Sequence, residues 1–270
     1  MIGSGAKAGN LAYIDALRGI AALSVLVYHI YGAAGTTTGW LYPLRVIPER
    51  LISLAIAGVP LFFIISAFTL YLSLDGRAGE ERWAVKFYLR RIFRIAPLFY
   101  LLLILVVLDA LVLQGKPLSW PEVLANFSFT FNLIPEYAES LFSDGWTVGV
   151  EVLFYLVLPL VFMKINSTFR ASLFLLGVWW LSQEGRLLLG SVVGEAAMAS
   201  TNYNFYNIFY WAYIFPLGIL CYLIHKYHLP RLRSEYRKPV AVIMLSISLI
   251  VLFVFINNLS LNIWLSSLYE

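Results

Sequence analysis

Arg18 and His29 stand eleven residues apart in an apolar stretch that opens near Tyr13 and runs past Tyr31. An ionisable side chain inside such a stretch is costly in a bilayer and is by default a functional candidate. On a helix the two are separated by roughly 16 Å, about half the hydrocarbon thickness, so one lies near a membrane face and the other well inside. A neutral imidazole at His29 can take a proton from a hydroxyl, or attack an acyl carbon itself, near neutral pH. Glu151, five residues after Trp146 in a later apolar stretch, can fix the imidazole tautomer and stabilise the imidazolium where the two helices are neighbours. The alternative for both residues is an interhelical hydrogen bond without chemistry.

A second constellation runs from Phe87 to Pro97 and holds Arg90, Arg91 and Arg94. Arg91 and Arg94, three apart, share a helix face, and Pro97 suits the beginning of a new helical segment. Two guanidinium groups on one face fit a phosphate-rich ligand, whose oxygens they bind bidentately. Arginines at a cytoplasmic membrane edge also set orientation or touch anionic lipid, and that reading stays open. Between Ala57 and Phe68 the small residues Ala57, Gly58, Ser66 and Ala67 permit close helix packing. Ser66 can bond back to its own helix and is not read as a nucleophile. Asp109 is either a buried acid or an interfacial residue. One intramembrane histidine and one glutamate fall short of the ligand number zinc needs, so no metal is expected.

The elements that must position these groups follow from composition. With 61% hydrophobic and 13% charged residues and a mean hydropathy of +0.80, the chain is too apolar to cover a soluble globule. Seven stretches are long and apolar enough to cross a bilayer, at about 13–34, 51–74, 97–114, 146–163, 171–193, 205–225 and 239–256, giving an all-α polytopic helical bundle. Residues 1–270 read as a single transmembrane domain, with Met1 to Asn10 as a polar tail. Asp15 and Arg18 at its head argue that the first stretch is a retained helix and not a cleaved signal. The lone Cys221 reads as a small core residue.

Charge sets the orientation. Simple alternation places fifteen of the nineteen Lys and Arg on one side, leaving Arg45, Arg50, Lys116 and Arg186 on the other. This bias predicts a cytoplasmic N-terminus. It also accounts for the sequence pI near 9.1, so nucleic acid is rejected as a partner and membrane lipids take its place. Under this topology His29 and Glu151 both fall in the outer halves of their helices. The longest outer connection, 115–145, is rich in aromatics, which belong at a membrane–water interface and can equally form a platform for sugar rings. Asn126-Phe127-Ser128 matches a glycosylation triplet of a kind that arises by chance.

Five blocks, in order, resemble the membrane-bound acyltransferase 3 family. They are Asp15 to Ala21 with His29; Gly58 to Phe68; Arg91 to Pro97; Trp146 to Pro159; and, more weakly, Phe215 to Tyr222. The resemblance implies an O-acyltransferase of the bacterial cytoplasmic (inner) membrane that moves an acyl group, by family weight acetyl, from cytoplasmic acyl-CoA to a hydroxyl of a cell-surface or exported glycan or glycolipid. It implies a catalytic His29, an essential Arg18, and Arg91 and Arg94 at the acyl-CoA donor. Glu151 matches a characteristic family position, and its part in catalysis is inferred. Homo-oligomers are compatible with this reading.

Two departures stand out: Ala67 where the family usually has glycine, and Pro60 where an acidic residue is common. Family domains carry about ten spanning helices against the seven here, which implies a shortened member or one short of its C-terminal helices. Two other classes remain. One is a proton-coupled transporter or channel for an anionic substrate that uses His29 and Glu151 as a relay, although no repeat of paired broken helices is evident. The other is an assembly subunit whose polar residues serve packing.

Overall fold

The computed structural model describes residues 12–36, 55, 57–116, 118–142, 144–194 and 203–231. In chain order its helices are α1 (Ala12–Thr36), α2 (Gly58–Asp75), α3 (Trp83–Leu108), α4 (Trp120–Phe127), α5 (Gly145–Lys164), α6 (Thr168–Val193), α7 (Tyr203–Tyr206), α8 (Ile208–Trp211) and α9 (Ile214–Tyr227). A π-helical turn at Asp109–Leu113 prolongs α3, and short 3-10 turns occupy Phe131–Leu133, Pro135–Tyr137 and Leu229–Arg231. No strand occurs among the described residues, and the protein is an all-α polytopic membrane protein. Five segments are long and apolar enough to cross a bilayer: Tyr13–Tyr31, Gly58–Asp75, Trp83–Leu113, Gly145–Lys164 and Ile208–Arg231. The expected span 171–193 is helical as α6, but Gln183, Glu184 and Arg186 interrupt its apolar run and it is not among the five. The span expected at 239–256 lies outside the described residues.

One boundary needs correction. Pro97 does not begin a helix; it lies inside α3, whose ladder starts fourteen residues earlier at Trp83. Proline removes one ladder hydrogen bond, which a long apolar helix tolerates when neighbours and local adjustment make good the loss. Arg90, Arg91 and Arg94 therefore ride on the first half of a spanning helix and not in a loop. Pro60 and Pro216 cost less, since they fall in the first turns of α2 and α9, where the N–H groups have no intrahelical partner.

The described residues fall into two compact units, one within Ser66–Leu223 and the other within Ala6–Ile65 and Ile224–Glu270. In the first, α5 presents Trp146, Val150, Phe154 and Leu158, every fourth residue, as a buried stripe. Phe154 stacks on Phe215 at 4.1 Å, and Trp146 packs on Phe205 and Trp211 at 5.1 and 5.3 Å. Tyrosines tie the helices by hydrogen bonds: Tyr71 donates to the Val161 and Ile165 carbonyls, Tyr88 to that of Leu156, and Tyr222 to the Asp75 carboxylate at 2.8 Å. The outward face of α3 leaves Phe93, Leu98 and Leu105 exposed, as expected of a helix that meets lipid.

The connection 118–142 is folded, not simply splayed at an interface. Phe131 is fully buried, while Phe129 and Phe142 close on Phe99 of α3 at 4.4 and 5.0 Å; Trp120 and Phe127 remain outward. Gly149 admits this cap: a Cβ there would collide with the Asn132 side chain and come within 2.6 Å of Phe131. Asn126 is fully buried, accepts from Ser140 Oγ at 2.6 Å and Leu141 N at 3.1 Å, and donates to the Glu122 carbonyl. The glycosylation triplet is thus a structural element. Burial also raises the carboxyl pKa of Glu122 above its ordinary value.

In the second unit α1 passes close to the start of α2. A Cβ on Gly58 would stand 2.7 Å from the Ala21 carbonyl oxygen and 2.9 Å from Val25 Cγ2, so this crossing requires glycine. Tyr13 Oη lies 3.3 Å from Nδ1 of His225, in the last turn of α9.

Candidate functional site

Three helices of the first unit bring together a polar cluster of chemical interest. On α5, Val150 and Phe154 are buried and Glu151 is half-buried beside them, one turn before the buried Tyr155. On α2, Ser66 is held between buried Ile65 and Ala67. The Ser66 hydroxyl donates to the Glu151 carboxylate, and the Tyr155 phenol is close enough to interact with both. The expectation that Ser66 bonds back to its own helix is corrected: its hydroxyl reaches across to α5. A carboxylate bonded by a hydroxyl is satisfied in a low-dielectric setting and fixed in rotamer.

Arg91 enters this cluster from α3. Phe87, one turn earlier and buried, supplies one wall, and the guanidinium carbon lies 6.0 Å from its ring centre and 5.9 Å from that of Tyr155. Cation–π contact holds the guanidinium plane without consuming its donors. Arg91 Nε is buried and has no hydrogen-bond acceptor among the described residues. Arg94 is exposed one turn further on, and Arg90 is committed elsewhere, donating to Glu80 at 3.1 Å. That hydrogen bond, with the nearby charges of Lys86 and Arg77, holds the Glu80 carboxyl below the usual range.

The second unit holds the other two expected residues. His29 is exposed on α1, with Nδ1 2.8 Å from the Val25 carbonyl oxygen and its ring edge-on to Tyr28 at 5.5 Å. A carbonyl only accepts, so Nδ1 carries the proton and Nε2 is the basic nitrogen of the neutral ring. Arg18 pairs with Asp15 at 3.3 Å, both side chains being well exposed. The i,i+3 spacing of Asp15 and Arg18 is the sequence signal for this pair. His29 and Glu151 belong to different units, and each is placed by contacts within its own. Asp109 is resolved as an exposed residue that accepts from Gln114 Nε2 at 2.7 Å. Neither Ser66 nor Tyr155 is marked as a site residue by the sequence; their joint placement near Glu151 comes only from the packing of α2 on α5.

Apolar spanning helices with an intramembrane cluster of carboxylate, phenol and arginine define an integral membrane protein with a polar site in its helical core. The chain belongs to the acyltransferase 3 family: the family's acyltransferase domain matches residues 11–269. ORF330 of Acidianus two-tailed virus, which is named as an acetyltransferase, is 28% identical over 218 residues, covering 79% of this chain and 58% of that protein. The exopolysaccharide production protein ExoZ of Rhizobium meliloti (strain 1021) is 31% identical over 147 residues, covering 53% of this chain and 42% of that protein. The chain thus spans about half the length of the curated relatives it matches. No solved structure matches it.

Proposed function

We propose that the protein is an integral-membrane O-acyltransferase that moves an acyl group, acetyl in the first instance, from acyl-CoA to a hydroxyl of a cell-surface or exported glycan. The observation that carries this reading is Arg91: a guanidinium drawn in against Tyr155, one helical turn along α5 from Glu151, with Nε lacking an acceptor among the described residues, in a chain of an acyltransferase family. Arg91, together with Arg94 and Arg18, takes the anionic donor; Glu151 is the positioned carboxylate; His29 is the base. The acceptor oxygen attacks the thioester carbonyl, the C–O bond forms and the C–S bond breaks. The hydroxyl proton passes to His29 Nε2 and CoA leaves as thiolate. The glycan acceptor is supported by the name of the exopolysaccharide relative. The basic bias of the inner loops supports entry of the donor from the cytoplasm, with the N-terminus on that side of a bacterial inner membrane.

The test is incubation of membranes containing the full protein with labelled acetyl-CoA, followed by chemical identification of the product. Label should appear as an alkali-labile ester on a glycan, and His29→Ala, inserted at wild-type level, should abolish it. Turnover retained in His29→Ala removes His29 from the chemistry. Flux of an anion into vesicles without covalent change would replace the enzyme by a transporter.

A further inference from the structure

We infer a second, anion-binding site between α6 and α8, centred on Arg186, that takes an oxyanion group such as a phosphate or carboxylate. Arg186 sits well inside α6, five turns along the helix from its first residue, Thr168. Its guanidinium carbon lies 5.3 Å from the centre of the Tyr210 ring, and the Tyr213 phenol is near enough to interact electrostatically with it. Nε is buried and has no acceptor among the described residues, and no carboxylate forms an ion pair with Arg186 among them.

The nearest acid in sequence, Glu184, is exposed and two positions away, where helix geometry turns it from Arg186. The close approach is built in at the preceding residue: Gly185 is buried, and a Cβ there would come within 2.7 Å of the Phe209 ring. Arg186 is partly buried, and its buried Nε has neither acceptor nor counter-charge among the described residues, a cost that a ring face offsets only in part. Its planar fork keeps donors for two oxygens of one anion, with phenol hydroxyls beside it. The site does not depend on acyl transfer, and its loss would leave the proposed activity untouched.

The anion can belong to a soluble sugar or to a phospholipid headgroup, and the experiment separates the two. Full-length protein in phosphatidylcholine nanodiscs is titrated with radiolabelled glucose 1-phosphate, with methyl glucoside as neutral competitor. Protein extracted in detergent is assayed by native mass spectrometry for retained phosphatidylglycerol. Saturable binding of the sugar phosphate, undisturbed by methyl glucoside and weakened by about tenfold or more in Arg186→Gln, supports a soluble anionic ligand. Loss of retained phosphatidylglycerol in the same variant supports a lipid headgroup. Arg186→Lys, which keeps the charge and loses the fork, should fall between and serves where the glutamine variant does not fold. Wild-type levels of both ligands in a folded Arg186→Gln or Arg186→Lys protein overturn the site.

Discussion

The guanidinium carbon of Arg91 rests 5.9 Å from the ring centre of Tyr155, one helical turn along α5 from Glu151. The arginine expected at a cytoplasmic rim is therefore turned into the helical core, and the contact that turns it is aromatic. In Arg91→Lys the charge remains but the planar fork and ring stacking go, so we expect kcat/KM for acyl-CoA to fall about tenfold or more with helical content unchanged. Steady-state kinetics on purified protein checks this, and an unaltered kcat/KM would remove Arg91 from the donor site.

Ser66 and Glu151 should be energetically coupled. A hydrogen bond to a charged group contributes about 1.5–3 kcal/mol, so a double-mutant cycle of Ser66→Ala and Glu151→Gln should return an interaction energy of that order in unfolding experiments. Additive single effects would mean that the hydroxyl is not held by the carboxylate in the folded protein.

Asn126 holds the cap 118–142 shut through one carbonyl oxygen that accepts from both Ser140 and Leu141. Asn126→Ala leaves buried donors without a partner, and we expect a loss of about 1–3 kcal/mol in stability. Thermal unfolding in detergent is the measurement. Fusion to a eukaryotic secretory signal should not yield glycosylation at this residue in folded protein.

The Arg90 pair with Glu80 makes the turn after α2 sensitive to acid. The folded carboxyl titrates below its ordinary value, so the pair's contribution is present above the unfolded pKa and is lost as pH falls through the folded one. Hydrogen exchange of residues 76–82, corrected for intrinsic rates, should rise on acidification in the wild type. In Glu80→Gln it should already be raised near neutral pH and change little.

Much of the fold was legible in the residues because the bilayer demands long apolar runs, and the stretches leading to α1, α2, α3 and α5 announce themselves by length and hydropathy. The start of α3 is hidden in the sequence because Pro97 is a strong local stop signal that a spanning helix overrides. Glu151 is legible as a costly polar group in an apolar stretch, and Arg91 as one of two guanidinium groups on a helix face at a membrane edge. Ser66 and Tyr155 are not, since a serine or a tyrosine in such a helix carries no cost that singles it out. Their significance comes from which helix lies opposite, and one chain's periodicity does not encode that. Arg186 was visible only as a charge on the less basic side; the ring beneath it belongs to α8, a separate element beyond the end of α6.

The unbroken run Trp83–Leu113 covers 31 residues, about 46 Å of helix against a hydrocarbon slab of about 30 Å. Such a rod must lean, thin the surrounding lipid, or stand proud of the slab by several turns. Standing proud at its N-terminal end would set the exposed Arg94 among lipid phosphates while Arg91 stays sheltered by protein. Membrane thickness would then act on the register of this helix, and through it on the depth at which Arg91 meets its neighbours.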